Sequence, residues 1–151
     1  MNAQGRSIPH ESAAAQVSGR AVYIDDMPAL AGSLCAAPIL SAHAHGKLLG
    51  VDASAALAMP GVRGVVLAGD IPGHKMLASF IGDEPVLAID TVQHIGQVVG
   101  LVVAATHAQA LRAARKVQLK VEALPAVLTV KDALEQQSYV LPRSEEHTSE
   151  L

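Results

Sequence analysis

One pattern of residues occurs twice in this chain and constrains its fold more than any other feature. In the first copy, residues 47–51 have the composition of a strand, and Asp52 and Ser54 are candidate caps for a short helix rich in Ala and Leu. Residues 60–61, a Pro-Gly pair, end that helix, and residues 62–67 resume as a strand. The first copy therefore predicts a strand, a helix and a strand.

The second copy has the same order of elements. Residues 98–104 form a nearly continuous apolar run, which is typical of a strand buried on both faces. Thr106 and Gln109 have the spacing of a helix cap, and residues 117–122 alternate as in a half-exposed strand. The helix between them has an apolar face of Ala110, Leu111, Ala114 and Val117. Together the two copies predict a mixed α/β or α+β domain whose helices cover a sheet.

The remaining segments are less regular. Residues up to 16 are polar and unpatterned, and we interpret them as an arm. Residues 19–24 predict a short strand, and residues 33–40 form a second apolar run that is interrupted by Pro38. Residues 69–90 predict a loop with one extended piece over 86–89, and residues 129–136 predict a third helix.

Composition limits the core and the partners. Half of the 151 residues are hydrophobic, but there is no Trp, one Phe and two Tyr, so Ala, Val, Leu and Ile must fill the core. The net charge is −3, and no block of Lys and Arg stands out, which argues against a nucleic-acid partner. No apolar run approaches the roughly 20 residues that span a bilayer, so we expect no membrane partner.

The cellular compartment follows from two further observations. The first fifteen residues contain one Arg and no apolar segment of the kind that a secretory signal requires. The single cysteine, Cys35, has no partner within the chain for a disulfide. We therefore expect a cytoplasmic protein.

Gln97 is the one candidate for binding a cofactor. Gly96 before it would let a ligand approach the backbone while the Gln97 side chain donates a hydrogen bond. The alternative, which we favour, is that Gly96 makes a tight entry into the strand and Gln97 bonds to main chain. The sequence contains no dinucleotide-binding glycine motif, phosphate-binding loop or nucleophile elbow. We therefore assign no catalytic residue.

Other polar groups are weaker candidates. His43 and His45 would share a face if they stood in a strand, but no further ligand stands at a supporting spacing, and we predict no metal site. The acidic pair at residues 25–26 and that at 83–84 each adjoin a Pro-containing turn, where carboxylates commonly cap the turn. Cys35 lies in an apolar run and is interpreted as a small hydrophobic residue.

The last nine residues, RSEEHTSEL, differ from the rest of the chain. They are acidic and polar, whereas the preceding sequence is rich in Ala and Val. One interpretation is a solvated native tail. The other, which we favour, is that residues 143–151 are a non-native tail encoded by a sequencing adapter, with the native sequence interrupted after Pro142.

Longer stretches resemble a known family. IPHESAAAQVSGRAVYIDDMP (residues 8–28) is similar to the start of the large, molybdopterin-binding subunit of bacterial xanthine dehydrogenases. Residues 41–73, 83–88, 94–117 and 124–135 continue the resemblance, and these later motifs are shared with aldehyde oxidases and other molybdenum hydroxylases. The resemblance covers nearly everything from Arg6 to Pro142.

The resemblance implies a domain organisation. Residues 17–125 would form an α/β-hammerhead domain, an α+β fold in which a mixed sheet is covered by short helices. Residues 1–16 would be an N-terminal arm, and residues 126–142 would begin a linker to molybdenum-cofactor domains that are missing here. Residues 143–151 would be the non-native tail.

The resemblance also implies a function for the longer parent protein. Such an enzyme oxidises hypoxanthine and xanthine to urate, by oxygen transfer from water at a molybdenum centre, with NAD as the final acceptor. Molybdopterin would lie in the large subunit, and a 2Fe-2S cluster and FAD on a small partner subunit. The family's catalytic motifs lie downstream of this chain, so the fragment itself would be an inactive scaffold that binds no cofactor.

Some positions depart from the family pattern. Val98 replaces the Pro of a Gly-Gln-Pro step, Gly100 replaces a larger apolar residue, Gln16 replaces a His, and Val121 stands where a Tyr is usual. The change at Val98 weakens the case for a cofactor role of Gln97. Two alternatives stay open: another molybdenum hydroxylase, of the aldehyde oxidase or carbon monoxide dehydrogenase type, and a small stand-alone binding module.

Overall fold

The computed structural model describes residue 5, residues 7–77 and residues 84–139. The chain divides into two compact units, with the division between Ser33 and Leu34. The predicted tail, residues 143–151, and the end of the predicted linker, residues 140–142, lie outside the described residues.

The first unit has a short helix at the end of residues 1–16, the segment predicted to be an unpatterned arm. It contains helix α1 (Ala13–Val17) and a 3-10 turn over Ile24–Asp26. Within its described residues there is no strand, so the prediction of a strand over 19–24 is wrong. The main-chain N–H groups of Arg20 and Ala21 both donate to the carbonyl of Ala15, which folds the chain back onto α1. These donors are satisfied locally, and no neighbouring strand is present to pair with them.

The second unit contains eight strands and three helices among its described residues. The strands are β1 (Cys35–Leu40), β2 (Gly46–Asp52), β3 (Val62–Leu67), β4 (Met76–Leu77), β5 (Glu84–Pro85), β6 (Thr91–Val92), β7 (Val98–Ala104) and β8 (Gln118–Ala123). The helices are α2 (Ser54–Leu57), α3 (His107–Ala114) and α4 (Val130–Glu135). The strand–helix–strand order of both copies and the third helix are confirmed, and so is the α+β fold class.

The two copies pair crosswise. In one sheet, of order β1-β7-β3, the last strand of the first copy pairs with the first strand of the second. In the other sheet, of order β6-β2-β8, the first strand of the first copy pairs with the last strand of the second. Every pairing among the described strands is antiparallel, including that of β4 with β5. Each helix of a copy therefore connects one sheet to the other.

Strand β7 is the centre of its sheet, and its burial agrees with the apolar run in the sequence. Val99, Val102 and Ala104 are almost completely buried, and flanking strands pair on both sides. Pro38 lies in the edge strand β1 opposite Leu101. An edge strand tolerates proline because one side of its ladder has no partner to receive an N–H.

The main core is built from small side chains. Ala110 and Ala113 on α3 are completely buried and pack with Ala37 and Val102 of the sheet, and the short side chains allow the helix to approach closely. A second core cluster lies under the other sheet, and Leu119 packs against both clusters. The core is thus continuous through β8.

Two local predictions need correction. Leu111, predicted to lie on the apolar face of α3, is 37% exposed, and Ala113 takes the buried position instead. Helix α3 is covered on two sides, by the sheet and by α2, so its buried surface is broader than the stripe deduced from the sequence. The extended piece predicted over 86–89 forms no strand and lies between the two-residue strands β5 and β6. Its main chain makes isolated bonds, from Val86 to the Lys75 carbonyl and from Ala88 to the Val98 carbonyl.

Candidate functional site

Gln97 closes the loop that leads into β7. Its side chain is 8% exposed, and its Oε1 accepts a hydrogen bond of 2.6 Å from the main-chain N–H of Gln93. Its own carbonyl accepts a 2.9 Å bond from the Ser41 N–H. The amide oxygen of Gln97 is therefore used by the main chain of its own loop. A cofactor role for the rest of the side chain stays a hypothesis.

Ser41 is the partner of this loop on the other side. It is 2% exposed, its carbonyl accepts a 2.8 Å bond from the Gly96 N–H, and its Oγ donates to the His43 carbonyl at 3.1 Å. Gly96 has φ of +84°, a backbone conformation that favours glycine, and this turn aims its N–H at Ser41. Burying a polar group is tolerated when its bonds are made, as they are here. The sequence showed no signal for Ser41, because a serine at the end of an apolar run is unremarkable until its partner is known.

A cleft of about 410 Å³ lies beside Gln97. Its polar lining comes from Glu84, Gln93, His94 and Gln97, and its walls are apolar. Among the described residues of that lining, Glu84 is the one with a charged side chain. The cleft is therefore amphipathic and weakly anionic.

The described lining of the cleft offers no group suited to the phosphate of a molybdenum cofactor. Molybdopterin carries a phosphate group, which is bound in proteins by cationic side chains, by clustered N–H donors or by helix N-termini. None of these stands in the described lining, where Glu84 would repel an anion. Among the described residues, moreover, no group of three His, Cys, Asp or Glu side chains is placed to hold a metal ion.

The two histidines considered as metal ligands stand in the loop before β2 and not in a strand. The Nδ1 of His45 lies 2.7 Å from the carbonyl oxygen of Pro125, eighty positions along the chain. The main-chain N–H of His43 donates to the Ser41 Oγ at 3.0 Å. Each histidine is thus tied to a different neighbour. The contact of His45 was missed by sequence analysis because nothing local indicates it.

The acidic and thiol candidates also have local explanations. Asp26 accepts a 3.0 Å bond from the Tyr23 N–H and so caps its turn. Glu84 lies in β5, and Asp83 falls outside the described residues. Cys35 begins β1, is half-buried and is a free thiol.

The carboxyl group of Asp52 in this unit has a shifted pKa. Hydrogen bonds from the hydroxyl and the main-chain N–H of Ser54, with Lys120 as a minor contributor, hold the pKa of Asp52 below its ordinary value. The N–H bond to Oδ1 measures 3.0 Å. Ala53 is the N-cap residue of α2, and Asp52 immediately before it stabilises the turn into that helix.

No helix in the part of the chain that the structure describes has both the length and the apolar character needed to cross a membrane.

Comparison with known proteins identifies the class. Residues 18–125 match the family model for the a/b hammerhead domain of aldehyde oxidase and xanthine dehydrogenase. In solved structures, the aldehyde oxidoreductase of Desulfovibrio gigas superimposes with a TM-score of 0.73 at 33% identity, over 83% of this chain and 15% of that chain. Carbon monoxide dehydrogenase from Oligotropha carboxidovorans gives a TM-score of 0.72 at 30% identity, over 83% of this chain and 16% of that one.

Curated relatives agree. Xanthine dehydrogenase 1 of Arabidopsis thaliana is 44% identical over 89% of this chain and 10% of its own length. Xanthine dehydrogenase/oxidase of Gallus gallus is 41% identical over 91% of this chain and 10% of its own length. The chain belongs to the aldehyde oxidase and xanthine dehydrogenase family, as its sequence motifs indicated. It spans about a tenth of the length of these relatives.

Proposed function

We propose that this chain is a supporting domain of a molybdenum hydroxylase of the xanthine dehydrogenase type, whose whole protein oxidises hypoxanthine and xanthine to urate with NAD as the final acceptor. One observation carries the proposal. Relatives named xanthine dehydrogenase, or xanthine dehydrogenase/oxidase, are 40–44% identical to this chain. The aldehyde oxidoreductases and carbon monoxide dehydrogenases with similar structures are 30–33% identical.

The contribution of this chain to that activity is structural. Its described polar groups are used to hold its own loops together, as Gln97 and Ser41 do, and its cleft does not suit an anionic cofactor. Residues 17–125 would act as the scaffold domain, and residues 1–16 as an arm. The catalytic residues and the molybdopterin site would lie in domains that follow the linker of residues 126–142.

The proposal includes partners and location. Molybdopterin would be held by the following domains, and a small subunit would carry the 2Fe-2S cluster and FAD. The whole assembly would be cytoplasmic and, in a bacterium, composed of two kinds of subunit. Residues 143–151 would be a non-native tail.

The first experiment is to read the genomic DNA beyond the codon for Pro142 and to express the complete protein. We expect several hundred further codons, and turnover of xanthine by the purified enzyme in preference to aldehydes and carbon monoxide. A native stop codon directly after Pro142 would instead support a stand-alone binding module.

A second candidate is an enzyme of the aldehyde oxidoreductase type. The structural similarity to the Desulfovibrio gigas enzyme, with a TM-score of 0.73, favours it. The same purified protein distinguishes the two: turnover of an aldehyde without turnover of xanthine would establish the second candidate and refute the first.

The role of the fragment has its own test. The 151-residue chain, purified alone from cells that make molybdopterin, should contain no stoichiometric molybdenum and should not oxidise xanthine. Molybdenum in a 1:1 ratio to protein would contradict a purely structural role.

A further inference from the structure

The segment that follows β8 is hydrogen-bonded to the loop before β2. The main-chain N–H of Leu124 donates to the His45 carbonyl at 3.1 Å, and the His45 ring reaches the Pro125 carbonyl at 2.7 Å. The main chain and the side chain of His45 therefore bind Leu124 and Pro125, the two residues that follow β8.

The residue next to His45 is closely packed against β8. Gly46, next to His45, is buried opposite Ala123 in the pairing of β2 with β8. A Cβ at Gly46 would overlap the Val121 side chain and lie 2.8 Å from the Glu122 carbonyl oxygen. The two strands are consequently in close contact here, and the position of His45 relative to the end of β8 is determined by main-chain packing.

Beyond Pro125 the chain loses its main-chain contacts. Within the described residues, 126–128 make no main-chain hydrogen bond, and the next such bonds are those of α4. Helix α4 has no buried residue; its first residue, Val130, is 78% exposed, and Leu128 before it is 79% exposed. Among the described residues, the Pro125 carbonyl is thus the last main-chain group that is hydrogen-bonded before α4.

Pro125 also marks the end of the domain in the comparison with the family. The family match covers residues 18–125, so it ends at the residue whose carbonyl His45 binds. We propose that His45 is a positioning residue that clamps the exit of the chain from the hammerhead domain and thereby sets the direction in which the following segment leaves.

The chemistry of the clamp follows from the acceptor. A carbonyl oxygen only accepts, so Nδ1 of His45 carries the proton, and the neutral ring is the Nδ1–H tautomer. The imidazolium form also carries a proton on Nδ1, and the bond is therefore retained in both protonation states. The role of His45 in orienting further domains rests on the proposed function, whereas the clamp itself does not.

The experiment uses the 151-residue chain with two spin labels. Gln118→Cys at the start of β8 and Ala126→Cys directly after Pro125, both at exposed positions, are introduced together in a Cys35→Ala background, and the distance between the labels is measured by pulsed EPR. We expect a single narrow distribution with His45 present and its loss in His45→Phe, which removes the donor. His43→Phe, a change at the neighbouring histidine, should keep the narrow distribution.

A conservative variant separates the hydrogen bond from ring packing. His45→Asn places an amide N–H near the position of Nδ1 and should restore the narrow distribution. In hydrogen exchange, the Leu124 amide should lose roughly fivefold protection in His45→Phe, as the loss of one hydrogen bond predicts.

Several outcomes would overturn the clamp. The first is a broad distance distribution in the chain that has His45. The second is a narrow distribution in His45→Phe. The third is a distribution in His45→Asn that is as broad as that in His45→Phe. If His45→Phe does not fold, nitrogen NMR of the neutral His45 ring decides: a neutral ring with its proton on Nε2 refutes the proposal, and one with its proton on Nδ1 supports it. None of these measurements depends on molybdenum or purine oxidation, so their failure would leave the proposed function untouched.

Discussion

The side-chain oxygen of Gln97 lies 2.6 Å from the main-chain nitrogen of Gln93 and accepts its hydrogen bond. This bond closes the loop before β7, next to the buried Ser41, whose N–H donates to the Gln97 carbonyl. The residue that stood out in the sequence as a candidate for cofactor binding thus has a defined place in the scaffold.

Replacing Gln97 by Met tests that place. The substitution keeps the length of the side chain and removes the acceptor, so we expect the free energy of unfolding to fall by about 1 kcal/mol. Urea denaturation provides the measurement. Gln93→Ala, which retains the main-chain N–H, should stay within about 0.5 kcal/mol of the parent chain. Equal stability of Gln97→Met and the parent would show that the bond contributes nothing.

Two glycines of β2 provide a matched pair. Gly46→Ala would force a Cβ against Val121 and the Glu122 carbonyl, and we expect a loss of roughly 1–3 kcal/mol in stability from overpacking. Gly50→Ala is the control, because no atom lies within 4 Å of the Cβ it would add. Thermal unfolding of both variants gives the comparison. Similar losses at the two positions would contradict the close approach of β8 to Gly46.

Two helix caps should differ in their effect on the whole domain. Thr106 Oγ1 accepts the Gln109 N–H at the start of α3, and Thr129 Oγ1 accepts the Asp132 N–H at the start of α4. Because α3 packs on the core, Thr106→Ala should lower global stability by about 1 kcal/mol. Thr129→Ala should fray α4 alone and leave the midpoint of denaturation unchanged, since no residue of α4 is fully buried. A lower midpoint in Thr129→Ala would show that α4 is packed after all.

The titration of Asp52 should depend on Ser54. Its pKa is lowered in the folded chain by the bonds from Ser54, so its contribution to stability is present above the pKa of the unfolded chain and is lost as the pH falls through the folded pKa. Ser54→Ala should raise the pKa of Asp52 towards its ordinary value, and Lys120→Gln should raise it less. NMR titration of the Asp52 carboxyl carbon measures both. A larger effect from Lys120→Gln would reverse the assigned order of causes.

Much of the fold could be predicted because its signals are local. The apolar run of β7, the Thr106 cap of α3 and the alternation of β8 each lie within a few residues, and the structure has all three. The prediction of a strand over 19–24 failed for the opposite reason. That segment has the composition of a strand, but a strand exists only where a neighbour pairs with it, and Arg20 and Ala21 bond to Ala15 instead.

The contacts around the site could not be predicted because they join distant segments. His45 and Pro125 are eighty positions apart in the sequence, and Ser41 and Gln97 are fifty-six positions apart. Neither spacing is typical of a motif that would predict the contact. The same holds for the crosswise pairing of the two copies, which requires knowing that β2 meets β8 and β3 meets β7.

By itself the sequence determined the longer strands and the helices of the second unit, the small-residue character of the core and, through its motifs, the family, whereas the two-residue strands β4, β5 and β6 were not predicted. Periodicity, capping and composition are properties of neighbouring residues, and they can be recognised without knowing the tertiary structure. Only the tertiary structure decided which strands pair, that Gln97 is bonded to its own loop, and where His45 holds the end of the domain. Those outcomes depend on the alignment of groups from distant segments, because a hydrogen bond forms only when both partners arrive within about 3 Å of each other.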